Sequence, residues 1–530
     1  MDVNAIVAAV RARPDVWISS FGPDELREQV ERVDTGLPLA GLPFAVKDNI
    51  DVAGLPTTAG CPDFAYTPER NAPVVQRLVD AGAIVVGKTN LDQFATGLTG
   101  TRSPYGAPES VFGGGLISGG SSSGSAVAVA DGTVVFALGT DTAGSGRVPA
   151  ALNGIAGIKP TRGLLSTLGV VPACRSLDCV SVFARDVTTA DRVTRVARGR
   201  VPEDPWSREG TRPLPAEPRI GVPETLDFFG DAGQEKAFAR VSGDTTVDVG
   251  PLLEAGDLLY RGPWVAERLA DLDEFLRARP ESVLPVTRAV LETGYGFTAA
   301  DAFRAQHRLQ QLKHAADRMW EQIDVLVLPT VGTTFTHSEI AEDPIGRNLM
   351  LGRYTQFANL LDMAAVTVPN GFTADGRPAS VTLFGPAFSD DALARLARSW
   401  AIYDTVTLAV AGLHLSGEPR NGELLERGAT LAGAARTAPC YRLYHLPSGA
   451  PGLVRTAGGE SIEVELWQMP AGQVGGFLAG IAAPLSLGRV ALDDGTEVTG
   501  FLCEAYAAAG AEDITASGGW RNHRARGATT

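Results

Sequence analysis

The chain has 530 residues and carries 46 Lys+Arg against 61 Asp+Glu, a formal net charge of −15 with histidine neutral. At 44% apolar and 20% charged it is globular in composition, with a length worth roughly three to four domain equivalents. The acidity and the lack of a long Lys/Arg run exclude nucleic acid and an anionic membrane surface as expected partners.

No window reaches about 18 uninterrupted apolar residues, and the first twenty residues lack a signal-peptide apolar core, so a cytoplasmic protein is expected. Five cysteines (Cys61, Cys174, Cys179, Cys440, Cys503) without a CxxC pair argue against a disulfide framework or a zinc site. The six histidines include no HExxH or other metal-ligand spacing, so no metal is expected.

In chain order, residues 1–33 read as a helical lead-in. The apolar run Leu42–Val46 then reads as a strand with Lys47 at its end. Val74, Val75, Leu78 and Val79 at helical spacing precede a strand at Ala83–Val86, and a second helix is expected to open near Asn90. A strand is expected through Val134–Leu138, helices over Trp264–Ala278 and Ala299–Gln322, and a buried strand over Asp324–Pro329. This alternation predicts an α/β protein with a mixed central sheet flanked by helices, persisting to about residue 400. Beyond it, strand-like runs at Tyr441–His445 and Ile462–Trp467 between Gly/Pro/Ser turns predict a smaller α+β domain. The expected domains are 1–403 and 404–530.

Glycine, at 61 residues, is about 12% of the chain against a usual ~7%, and part of the excess lies between residues 113 and 163. Gly119-Gly-Ser-Ser-Ser-Gly-Ser125, followed by the small apolar run Ala126–Ala130, has the texture of a phosphate nest but lacks the GK[ST] ending of a P-loop. A second turn follows at Gly139-Thr-Asp-Thr-Ala-Gly-Ser145-Gly-Arg-Val-Pro-Ala150, and one αβ unit between the two brings both serine loops together. A serine nucleophile needs a base, and no histidine occurs before His307, which disfavours a Ser-His-Asp triad. A buried lysine serves instead, because desolvation lowers its pKa from ~10.4, and Lys47 is the candidate.

Lys47, the GGSSSGS loop, GTDTAGSGRVPA and Gly154-Ile-Ala-Gly-Ile-Lys-Pro160 together resemble the amidase signature family, strongly over residues 38–180 and more loosely to about 400. The resemblance implies Ser145 as nucleophile, Ser121 as a bridging serine in a cis peptide, and Lys47 as general base. It also implies an oxyanion hole from the backbone N–H groups of Thr142, Ala143, Gly144 and Ser145. Ala143 stands where most members have glycine, while Asp141 and Arg147 are expected to brace the loop.

Leu259-Tyr-Arg-Gly-Pro-Trp-Val-Ala-Glu-Arg268 is a turn entering a helix. In a protein this acidic, an anionic substrate needs a local arginine, and Arg268 is suited to grip a carboxylate. The segment resembles the substrate-recognition segment of the allophanate hydrolase branch, which implies that Tyr260 and Arg268 hold a urea-carboxylate. Ala411–Gly422, Gly433–Leu443 and Ile462–Trp467 resemble the γ-glutamylcyclotransferase-like fold appended in that branch. No acidic DxxEG block follows Trp467, so cyclotransferase activity is not implied. Glu465, Glu504, His445 and His523 are candidates for a second chemical step.

The expected activity is hydrolysis of allophanate with release of ammonia, the N-carboxycarbamate product then losing carbon dioxide. No ATP, biotin or metal is expected as cofactor. A functional link to urea carboxylase or a cyanuric-acid pathway, and a homodimer, are the expected associations. The alternative is an amidase acting on another small carboxylated amide such as malonamate. The amidase component of a tRNA amidotransferase and a silent scaffold are weaker alternatives, disfavoured respectively by the acidic charge with its fused domain and by the retention of Lys47, Ser121 and Ser145.

Overall fold

Short Val/Ile/Phe-rich runs spaced by helices fold, in the computed structural model of the chain, into eleven strands of one mixed sheet. The structure is described for residues 2–402, 405–427 and 429–527. Two compact units divide the chain, Met1–Ile402 and Tyr403–Thr530; the boundary expected between 403 and 404 lies outside the described residues.

The strands of the first unit are β1 (Trp17–Ser20), β2 (Pro43–Lys47), β3 (Ile84–Thr89), β4 (Phe136–Asp141), β5 (Ala156–Lys159), β6 (Cys179–Ala184), β7 (Ile220–Pro223), β8 (Thr245–Val247), β9 (Val325–Pro329), β10 (Ala364–Phe372) and β11 (Pro378–Gly385). Their order in the sheet is β1-β3-β2-β4-β6-β5-β10-β11-β9-β7-β8. β2 runs parallel to both β3 and β4, whereas β4 and β6 are antiparallel. Alternate residues of the central strands feed different cores: Phe44, Val46, Phe136 and Leu138 pack on one side, Ala45 and Ala137 on the other. Burial on both faces is why these strands read as continuous apolar runs. Phe44 and Phe136, register partners, stack with ring centroids 4.9 Å apart.

Three expectations are corrected. Residues 1–33 are not wholly helical: Pro14 follows the helix Val3–Ala12, and Trp17–Ser20 pairs with β3 before a second helix, Pro23–Glu31. No regular helix opens at Asn90. Its side chain donates to the carbonyls of Asp15 and Gly106, Asp92 accepts from the amides of Gly100 and Arg102, and Phe94 has φ of 51° within a short 3-10 turn. These side-chain bonds offer the backbone an alternative to helix, and the next helix is Ser123–Ala130. β4 runs two residues later than expected at its start and continues through Thr140 and Asp141, because both still pair with β6. That extension carries two polar side chains into the site.

The helices expected over 264–278 and 299–322 occur as Trp264–Ala278 and Ala299–Trp320. The second unit holds β12 (Thr405–Val410), β13 (Thr430–Arg436), β14 (Tyr441–His445), β15 (Pro451–Arg455), β16 (Glu463–Pro470), β17 (Leu485–Ala491), β18 (Glu497–Cys503) and β19 (Glu512–Asp513). They form a five-stranded sheet, β13-β16-β12-β18-β17, and a three-stranded one, β15-β14-β19, around a core that includes Leu408, Leu443, Trp467 and Trp520. Among the described residues, no helix is long and apolar enough to cross a membrane.

Candidate active site

The serine run is fastened to β4 hydroxyl by hydroxyl. Ser122 Oγ donates to the Thr140 carbonyl and accepts from the Thr140 amide, and Ser125 Oγ donates to Leu138 O at 2.9 Å. The Gly120–Ser121 peptide is cis, the Asp92 amide donates to Ser121 O, and the Gly120 amide donates to Leu98 O. The loop is thus a clamped ledge.

β2 delivers Lys47 to that ledge from the parallel neighbour of β4. Its Nζ donates to Ser121 Oγ and to Thr140 Oγ1, each at 2.7 Å, with the lysine fully buried. Burial pushes the Lys47 ammonium down from its ordinary value to about 7, against the opposing pull of Asp92, Asp178 and Asp141; Arg268 pushes it further down. Near neutral pH a large fraction is therefore unprotonated and able to take a proton from Ser121.

Ser145 follows β4, 3% exposed, and its hydroxyl makes no hydrogen bond among the described residues. Its loop is braced by a buried ion pair: Arg147 Nε and Nη2 reach the two Asp141 oxygens at 2.9 and 2.8 Å, while Arg147 Nη1 donates to Thr355 O. The guanidinium and local amides hold the Asp141 carboxyl below its usual range despite burial. One expectation needs correction here: the Gly144 amide donates to Asp141 Oδ1 at 2.9 Å, so it is committed to the brace. The amides of Thr142, Ala143 and Ser145 have no partner among the described residues and remain available to an oxyanion. Gly144 is required for another reason. Its φ is +130°, and a Cβ there would collide with Thr355 Oγ1, the hydroxyl that donates to Ala143 O.

Asp178, missed in the sequence, accepts from Thr142 Oγ1 at 2.5 Å and from the amides of Ala173 and Cys174. Burial pushes its carboxyl up to about 6 against those bonds and the nearby Arg268 charge. A surface cleft with Leu168, Arg175 and Trp206 in its walls reaches Asp178.

Tyr260 ends the helix Gly250–Tyr260 and Arg268 lies in the second turn of Trp264–Ala278. The guanidinium sits 5.3 Å from the Tyr260 ring centroid and is 2% exposed. Its Nη1 donates to Thr96 Oγ1 at 3.3 Å, its buried Nε has no partner, and no acidic side chain forms an ion pair with it among the described residues. A buried guanidinium without its own carboxylate is costly, and it is a ready receptor for an anion that enters.

The candidates of the second unit separate. Glu465 is held by Ser416, Trp467 and Arg521, Glu504 is exposed, and only His445 and His523 meet. A pocket that the sequence reading did not single out is lined by His414, Arg420, Leu453 and Phe501. There His414 stacks on Phe501, its Nε2 is 3.2 Å from Glu423, and burial lowers its pKa. The Gly-Leu-His-Leu-Ser-Gly turn was its signal.

Residues 3–243 and 251–394 match the amidase family model, and the chain belongs to the amidase family. Residues 406–525 match the allophanate hydrolase C-terminal domain. Among solved structures, a Kluyveromyces lactis allophanate hydrolase is 38% identical, with a TM-score of 0.71 covering 99% of this chain and 97% of that one. Urea amidolyase of Lachancea kluyveri is 42% identical over 96% of this chain and 31% of its own length. A glutamyl-tRNA(Gln) amidotransferase subunit of Natronomonas pharaonis is 35% identical over 69% of this chain and 96% of its own. The chain spans about a third of the length of the urea amidolyases it matches.

Proposed function

We propose that the chain is an amidohydrolase whose substrate is allophanate, urea-1-carboxylate. The observation that carries the substrate is Arg268: buried, stacked on Tyr260 and without an acidic partner among the described residues. The substrate carboxylate pairs with it, and the tyrosine ring covers the planar urea group. This presents the terminal amide to Ser145.

In the proposed reaction, Ser121 O–H donates to the neutral Nζ of Lys47, reversing the hydrogen bond between them, and takes the proton of Ser145 as Oγ attacks the amide carbon. The amides of Thr142, Ala143 and Ser145 receive the oxyanion, and one such donor is worth roughly 3–4 kcal/mol in the transition state. The tetrahedral intermediate collapses, the nitrogen takes a proton back through Ser121, and ammonia leaves. Water then attacks the acyl-serine by the same relay to free N-carboxycarbamate, which loses carbon dioxide to give carbamate.

The unit Tyr403–Thr530 is proposed to assist that decarboxylation at the His414 pocket. Relatives named urea amidolyase favour a carboxylation of urea as the supplying reaction over a triazine route. A cytoplasmic homodimer completes the reading. The test is ammonia release by the purified, metal-free protein from fresh allophanate, malonamate, acetamide and urea, with Ser145→Ala as blank. Preference for allophanate supports the reading; a preference for malonamate makes Arg268 a general carboxylate anchor, and a preference for acetamide removes its role.

A further inference from the structure

We infer that His445, Glu512 and His523 form a binding site for a borderline divalent transition ion, zinc above all, in the unit Tyr403–Thr530. His445 ends β14 and Glu512 stands directly opposite it in β19, as register partners. His523 comes from the helix Trp520–Gly527, 78 residues beyond His445. No sequence motif joins them.

The spacing of the ligand atoms suits an ion. His445 Nδ1 and His523 Nε2 are 3.3 Å apart. Two nitrogens bound tetrahedrally to zinc at ~2.0–2.1 Å lie about 3.3–3.4 Å from each other. Glu512 Oε2 is 3.7 Å from His445 Nδ1, and all three ligand atoms lie within 4.8 Å of one another. A small rotation of the exposed glutamate side chain therefore completes a three-ligand face.

The surroundings favour coordination over a bare imidazole pair. Trp520, 3% exposed, packs its ring 5.3 Å from His445 and 5.8 Å from His523, which fixes both planes. The neighbouring Arg442 is paired with Asp513 at 3.0 Å, so its charge is already answered. Two imidazoles and a carboxylate select zinc, nickel or copper over magnesium and calcium, which prefer all-oxygen sets. A bound ion would tie the helix Trp520–Gly527 to the sheet edge at β14 and β19. This inference is independent of the proposed amide chemistry.

The test uses the full-length, tag-free, EDTA-stripped protein at pH 7.5. Zinc binding is measured by titration calorimetry, and quenching of tryptophan emission is followed with nickel. Wild type is expected to bind one zinc per chain, with nickel quenching that Trp520→Phe largely removes. His445→Gln and His523→Gln are expected to weaken zinc at least about tenfold, the lower end of what even an outer-shell partner is worth. Glu512→Gln, which changes only an exposed side chain, gives the same direction should either histidine variant fail to fold. Equal zinc affinity in wild type and all three variants would assign the ion elsewhere and overturn the inference, as would magnesium binding as tightly as zinc.

Discussion

In the proposed relay Lys47 acts as a base only when neutral, so a value of about 7 predicts the pH dependence of turnover. The value of kcat/KM is expected to rise with pH through about 7 and then level; Asp178→Asn, which removes one of the charges that hold Lys47 up, should move that inflection to lower pH, and Lys47→Met should abolish turnover. The same shift has a stability sign. Lys47 is lowered in the folded chain, so the unfolded chain holds the extra proton between about pH 7 and 10, and folding gains stability as pH rises through that window. Urea denaturation should show wild type gaining stability over this range relative to Lys47→Met; parallel curves would mean that the burial is not felt. Arg268→Gln keeps the volume and removes the charge. It is expected to raise KM for allophanate about ten- to a hundredfold, the value of a charge-assisted contact of ~1.5–3 kcal/mol, with a smaller effect on kcat. Equal losses on acetamide would show that the arginine supports the fold and not the carboxylate.

The loop after β4 shows what one element must satisfy at once. Gly144→Ala meets both a left-handed backbone and Thr355, so it is expected to cost about 2–3 kcal/mol and to silence turnover. Asp141→Asn breaks the buried pair with Arg147 and is expected to cost about 3–5 kcal/mol, read as a lower denaturation midpoint. Ser145→Ala, by contrast, should lose activity with little change in that midpoint. Much of this element was legible: its glycines, serines and flanking strand are contiguous in sequence, and so are Tyr260 and Arg268. What stayed hidden came from elsewhere in the chain. Asp178, Thr355 and Asn359 hold the loop across long separations, and the Gly144 amide looked free only because its acceptor, three residues upstream, folds back onto it. The helix expected to open near Asn90 does not form, since the side chains of Asn90 and Asp92 bond the backbone there instead, and their polar spacing gives no sign of it.

At the scale of the whole chain, two compact units divide the proposed chemistry into amide cleavage and decarboxylation. His414→Asn is expected to leave release of the first ammonia from allophanate intact while carbon dioxide and the second ammonia, which comes from carbamate, lag behind it, followed in parallel by coupled assays; simultaneous slowing of the first ammonia and of carbon dioxide would place His414 in support of the fold. The architecture of both units was readable from alternating patterns, whereas the order of eleven strands was not, because β10 and β11 return from late in the chain to the middle of the sheet. That late return sets a schedule. Thr355 grips Ala143 across 212 residues, a stretch that takes roughly 10–40 s to translate at about 5–20 residues per second. Throughout that interval the growing chain carries Ser145, the proposed nucleophile, on a loop whose far brace does not yet exist, so the proposed activity is expected only after Thr355 has been made.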